Sequence, residues 1–224
     1  MNVPQQIAQA LQRKLQDGHY RAGENLPGQR ELAEAMGVSR ASLREAISML
    51  EALGLVKSQP GKGVLVTTGQ VRQHKDIPAG PFAASPQATF EFRMVLEPAA
   101  AALAARHITP VGKALLWQIQ STLEDALKNQ DLVAAAEADL EFHLQVARLS
   151  GNALFHQVAR SLSAPIGHSL RLPFADHLHI WETAHEHQVV TDAITQGKPE
   201  EARLGMLNHL RNAAARVGLQ MDSL

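Results

Sequence analysis

The feature that most constrains this chain lies between residues 29 and 66. A short amphipathic helix is predicted over Gln29–Met36. Gly37 then permits a tight turn, and Ser39 is a good N-cap for a second helix from Arg40 to about Leu53. Leu43, Ile47 and Leu50 recur at helical spacing, so that helix buries one stripe. Gly54 stops it. Two strand-like runs follow, Leu55–Gln59 and Val64–Thr68, around the turn sequence Pro60-Gly61-Lys62-Gly63. A further helix, Pro4–Asp17, precedes the pair, with Ile7, Leu11 and Leu15 on one face.

Helix, helix, glycine turn, capped helix and glycine-rich hairpin is the layout of a winged helix-turn-helix, whose capped helix enters the DNA major groove by its N-terminal end. Arg40 and Arg44 are one turn apart and project away from the Leu43/Ile47/Leu50 stripe. A guanidinium fork fits the O6/N7 edge of guanine and also fits phosphate. Lys62, between two glycines at the hairpin tip, can approach the sugar-phosphate backbone closely. Charge alone says little: residues 1–66 hold eight Lys/Arg against six Asp/Glu, and the whole chain carries a net charge of −1. DNA binding would depend on where the cations stand.

This region resembles the GntR family of regulators. The resemblance runs through Ala22-Gly23-Glu24-Asn25-Leu26-Pro27, Arg30-Glu31-Leu32-Ala33, Gly37-Val38-Ser39-Arg40, Leu43-Arg44-Glu45-Ala46, Leu50 and Gly54-Leu55-Val56. It implies DNA contacts at Arg30, Arg40 and Arg44, with Gly61 and Gly63 as wing glycines. Added to Ser39 and Lys62, these complete the candidate DNA-binding set. The chain departs from the family at Gly28-Gln29 and Val64-Leu65, neither of which replaces a matched contact.

Beyond residue 85 the texture changes to helix after helix. The pattern predicts six, at about 87–107, 110–129, 131–149, 152–171, 174–196 and 198–219, in a short-looped antiparallel bundle. Pro165 and Gly167 should bend the fourth. The expected organisation is a mainly α chain: a winged helix-turn-helix at 1–68, a polar Gly/Pro-bearing linker at 69–85 and an all-helical domain at 86–224. Aromatics are only 4% of residues, and the apolar set is dominated by Ala and Leu, which suits helices.

Cysteine is absent while histidine numbers eleven, so any metal must be held by His, Asp or Glu. On the third helix of this domain, Asp139 and His143 share an inward face opposite Glu137, Glu141, Gln145 and Arg148. Two inward polar groups must pair with each other or hold a metal, and the helix alone leaves both readings open. On the fifth helix His187 lies inward with Ala184, Val190 and Ile194, whereas His185 lies outward with Glu182 and Asp192. His209 shares a side with Ala202, Met206 and Ala213, where a lone histidine is commonly a paired core residue. His168, His156, His177 and His179 stay outside the set, His168 being near enough the bend to line a pocket. One carboxylate and three imidazoles suit a divalent first-row metal with positions left for water or a ligand. Arg93 faces inward with Glu97 one turn on, either as a helix ion pair or as a guanidinium aimed at a ligand carboxylate.

Residues 86–221 resemble the FCD effector domain of the FadR branch of that family. The matching stretches are Arg93-Met94-Val95-Leu96-Glu97-Pro98, Asp139-Leu140-Glu141-Phe142-His143 with Ser150-Gly151-Asn152, Glu186-His187-Gln188, and Gly197-Lys198-Pro199 through His209-Leu210. The resemblance implies a metal on Asp139, His143, His187 and His209, zinc first, with nickel or manganese as alternatives, and a small organic acid as effector. The expected protein is then a cytoplasmic homodimeric regulator, more a repressor than an activator. Its partners would be an inverted-repeat operator and a small carboxylate bound through Arg93, with no membrane partner. A metal-dependent hydrolase is the competing class, but the chain has neither an HExxH helix nor a GxSxG elbow. A third reading is a constitutive DNA binder with a purely structural metal.

Overall fold

The computed structural model describes residues 2–67 and 84–221. Helix α1 spans Val3–Gln16, its start fixed by a capping box between Asn2 and Gln5. Helix α2 spans Gln29–Met36 and ends on Gly37, whose φ of 65° closes the turn. Helix α3 spans Arg40–Ala52, and the Ser39 hydroxyl accepts the Ser42 N–H at 3.0 Å. Strands β1 (Val56–Gln59) and β2 (Gly63–Val66) pair antiparallel, with Val56 opposite Val66 and Gln59 opposite Gly63. The chain at Gly23–Leu26 bonds to the other edge of β2 through Val64 and Val66, so the wing is braced on both sides. Leu11, Leu43, Leu50, Leu53 and Val56 are fully buried, so the helical stripes and the alternating face of the hairpin close one core.

The second part is helical throughout. Its α-helices are α4 (Pro86–His107), α5 (Pro110–Lys128), α6 (Leu132–Leu149), α7 (Ala153–Ser161), α8 (Ser163–Arg171), α9 (Ile180–Thr195) and α10 (Pro199–Arg216). Ser85, Thr109, Asp131 and Asn152 cap α4 to α7 through their side chains. Helix α4 packs along α10, α10 along α9, and α5 along α6. The linker expected at 69–85 lies outside the described residues except for Ala84 and Ser85.

Two expected helices differ in their bounds. The span 152–171 is two helices joined at Leu162. Pro165 has no N–H to give the carbonyl of residue 161, and its ring crowds that carbonyl. The helix therefore breaks there and restarts with Pro165 in the first turn of α8. The span 174–196 opens instead as a 3₁₀ turn, Pro173–Ala175, and α9 begins only at Ile180.

The head packs on the helical part. One apolar cluster runs from Leu11, Leu50 and Leu53 into Leu123, Leu127, Val133 and Phe174. Gly54 has φ +71°, and a Cβ built there would stand 3.0 Å from the Cβ of Ala175. A side chain at this position is excluded both by the backbone and by the neighbour.

Candidate functional site

Helices α6, α9 and α10 converge on one point in the bundle. The helical period of α6 puts Asp139 and His143 on its buried side, one above the other. His187 enters from α9 and His209 from α10. One donor atom from each of the four lies within 4.8 Å of all the others. All four residues are buried, none more than 4% exposed. The Asp139 Oδ1 is 3.2 Å from His143 Nε2 and 3.3 Å from His187 Nε2.

Those short distances leave the donors unsatisfied. Asp139 Oδ1, both nitrogens of His187 and Nε2 of His209 have no hydrogen-bond partner among the described residues. Buried polar atoms without partners are rare because each loses its water for nothing. Here imidazole nitrogens converge with a carboxylate oxygen, which is the donor set and spacing that a divalent cation requires. The residues present therefore fit a metal ion.

The electrostatics agree. Burial pushes the Asp139 carboxyl up, but His187 and His143 outweigh it and hold it well below the usual carboxylate range. Burial pushes His209 down to about 3 against the pull of Glu186, and it lowers His187 as well. Both are therefore neutral imidazoles near pH 7, the form that ligates. His143 goes the other way: burial lowers it, yet the Glu97 carboxylate beside it raises the result.

Outside the donors lies a ring of supports. Glu97 Oε2 sits 2.7 Å from His143 Nδ1, leaving Nε2 aimed inward. Glu186 Oε2 sits 2.8 Å from His209 Nδ1 and does the same there. Asn212 and Arg216 in turn hold Glu186, each at 2.9 Å from its Oε1. Burial pushes the Glu186 carboxyl up, but the bonds from His209 and Arg216 bring it down to about 2. A carboxylate on the far nitrogen of a ligating histidine fixes its tautomer and raises its basicity. The sequence reading gave Glu186 and Arg216 no role at the site. Glu186 stands next to His187 in the chain, but its partner is on another helix, and no spacing rule links them.

Arg93 is fully buried at the edge of this cluster. Its Nε donates to Glu97 Oε1 at 2.7 Å and its Nη1 to Ser169 Oγ at 3.2 Å. Its Nη2 is 3.1 Å from His143 Nε2. Arg93 is therefore the ion-pair partner of Glu97, as one sequence reading had it, and it also borders the four candidate donors. His185 is exposed, as its helical face required, and His168 is buried in a cleft between α3 and α8, away from the four donors.

The DNA-facing candidates are all exposed, with Ser39 at the head of α3 and Lys62 between Gly61 and Gly63 at the wing tip. Arg30 and Arg40 line a hollow between α2 and α3 with Gly37 and Val38. Arg30 also pairs with Glu34 at 3.1 Å, an exposed i,i+4 pair of little energetic weight. Arg40, Arg44 and Lys62 make no ion pair among the described residues. Arg44, one turn after Arg40 on α3, lines the cleft that α3 shares with α8. No helix among the described residues is long and apolar enough to cross a membrane.

Comparison with known proteins accounts for both parts of the chain. Residues 4–66 match the family described as bacterial regulatory proteins, gntR family, and residues 88–212 match the FCD domain. The Uxu operon regulator of Haemophilus influenzae is 34% identical, over 94% of this chain and 80% of that one. A protein of Escherichia coli K12 named putative L-lactate dehydrogenase operon regulatory protein is 31% identical, over 92% and 82%. Among solved structures, Streptococcus agalactiae GntR superposes with a TM-score of 0.50 at 27% identity, covering 95% of this chain and 98% of that one.

Proposed function

The chain belongs to the gntR family of bacterial regulatory proteins and carries an FCD domain, and from that premise we propose a homodimeric transcription repressor released from its operator by a small organic acid. The family and the relatives' names are those of transcription regulators, not enzymes. The observation that carries the finer reading is the convergence of four buried donor atoms within 4.8 Å beside an arginine. Asp139, His143, His187 and His209 would hold a divalent cation, zinc first, which when bound supplies a Lewis-acidic position for a carboxylate oxygen. Arg93 gives the same acid a planar fork of donors, and Ser169 and Glu97 hold that fork in place. One relative's name, tied to an L-lactate dehydrogenase operon, fits an acid of this small class.

On the DNA side, Arg40 and Arg44 read bases in the major groove, Arg30 and Lys62 hold phosphates, and Ser39 fixes the start of α3. Gly61 and Gly63, with φ of 71° and 96°, let the wing tip turn toward the duplex. The deciding experiment screens small hydroxy- and keto-acids by thermal shift on zinc-loaded protein, then tests each hit for operator release. An acid present at a hundred times its Kd stabilises the fold by about 2.7 kcal/mol. The near-complete burial of all four donors favours a second reading, a structural metal with constitutive DNA binding. That reading stands if no acid both stabilises the protein and displaces the operator.

A further inference from the structure

Helix α1 carries five glutamines, and four of them, Gln5, Gln9, Gln12 and Gln16, share one face at spacings of four, three and four residues. That face meets the α5–α6 corner. Gln12, 1% exposed, donates to the Gln130 carbonyl at 2.8 Å and accepts the Val133 N–H at 3.0 Å. Gln16 donates to the same carbonyl at 2.7 Å, Gln9 to Asp131 Oδ2 at 2.5 Å, and Gln5 to the Glu137 carboxylate. Val133 lies in the first turn of α6, where its N–H has no acceptor within the helix, so Gln12 takes that role. Gln130, which receives two of these bonds, has φ 55°, a left-handed conformation that a residue with a side chain rarely adopts.

The seam is bounded by two clefts. One, of about 730 Å³, has Arg44 and Ser48 of α3 on one wall and Ser163, Gly167 and Arg171 of α8 on the other. The second, of about 470 Å³, lies at the far end beside Gln16, Tyr20 and His177. Beside the seam the same two parts share the apolar cluster through Leu11, Leu50, Leu123 and Val133, so opening it also parts that packing. The docked position also has a consequence for DNA. A major groove about 12 Å wide places a phosphate wall along each flank of an inserted helix. On the Arg44 flank of α3 the facing wall is α8, so a phosphate wall there would have to enter the cleft between them.

We propose that the glutamine face of α1 is an autoinhibitory clamp, holding the head with Arg44 facing α8 across the cleft, and that operator binding requires it to open. This rests on the operator and metal readings above. The link to the sensing site is α6 itself: its first turn receives the glutamines, and its next turns carry Asp139 and His143. A displacement of α6 at the donors is a displacement of the clamp.

The test uses the full chain and a duplex selected by the parent protein from random sequence. Gln12→Ala, with Gln9→Ala/Gln16→Ala as a second variant at more exposed positions, should speed hydrogen exchange at the Val133 amide at least tenfold. Each should tighten the duplex at least fivefold, and adding Arg44→Ala should remove the gain. Gln6→Ala, exposed on the other side of α1, should match the parent in both measurements. Unchanged Val133 exchange in both variants means there is no clamp. Faster exchange with equal or weaker DNA binding means the docked head is the binding form, and overturns the proposal. Failure of the metal reading shows separately, as a parent that takes up no zinc, and leaves both measurements valid.

Discussion

Nε2 of His143 is wanted by two partners: Arg93 Nη2 stands 3.1 Å from it, and the same nitrogen points at the other three donors. Were His143 to hold a cation through Nε2, that nitrogen would no longer accept from Arg93, leaving part of the guanidinium fork for a carboxylate. Arg93→Ala should therefore weaken acid binding at least tenfold in calorimetry while leaving zinc uptake stoichiometric. Equal acid affinity in the variant would reduce Arg93 to the partner of Glu97. His143→Ala or His187→Ala should abolish stoichiometric zinc in elemental analysis, and His185→Ala should not. Acid should also undermine the metal-stripped protein. His209 titrates near 3 in the fold against about 6.5 unfolded, and Glu186 near 2 against about 4.5. Both are depressed, so the stabilisation from His209 is lost as pH falls from 6.5 toward 3, and that from Glu186 only as pH falls from 4.5 toward 2. His143, raised in the fold, works against them, because its contribution is present at low pH and fades above its folded value. With His187 depressed as well, the midpoint of stripped protein should drop by roughly 5 °C between pH 7 and pH 5. A flat or rising profile would show that His143 dominates. Helical period put Asp139, His143 and His187 on inward faces in the sequence, while their reading with His209 as one donor set came from the family resemblance. Glu186 was not legible, because its role depends on a crossing of α9 and α10 that no local spacing encodes.

Among the elements, α3 and the wing followed from local chemistry. Ser39, Gly37 and the Pro60–Gly63 turn each act within a few residues, so their effect is written in adjacent letters. Helices α7 and α8 were harder: Pro165 promised a disturbance, but whether a proline kinks or splits a helix depends on what packs around it. Here Ile166 and Leu170 of α8 are buried, so the restarted helix gains a new packing direction. The glutamine stripe of α1 was equally visible as a pattern, yet a polar stripe ordinarily faces water, and only the docked corner gives it acceptors. For the DNA-facing elements, Arg40→Ala or Arg44→Ala should each cost about 1–3 kcal/mol of operator affinity, concentrated at one base position. Lys62→Ala should instead lower affinity evenly across sequences and reduce the slope of log affinity against log salt by about 1. Unchanged affinity in both arginine variants, measured by fluorescence anisotropy, would remove α3 from the groove.

For the whole molecule, the proposed homodimer would present two identical heads, which call for a palindrome. Half-sites should lie about one helical turn apart, and inserting about five base pairs between them should abolish tight binding by turning one half-site to the opposite side of the duplex. A protein indifferent to that insertion would be binding as independent monomers. The donors have a larger-scale consequence as well. Asp139, His143, His187 and His209 come from three different helices. If an ion is held there it ties those three helices together, and a chain deprived of it would stay nearer to its unfolded forms, which proteases remove. Trace-element supply would then set how many copies of the regulator survive, and the genes it governs would answer to metal nutrition before any acid is sensed.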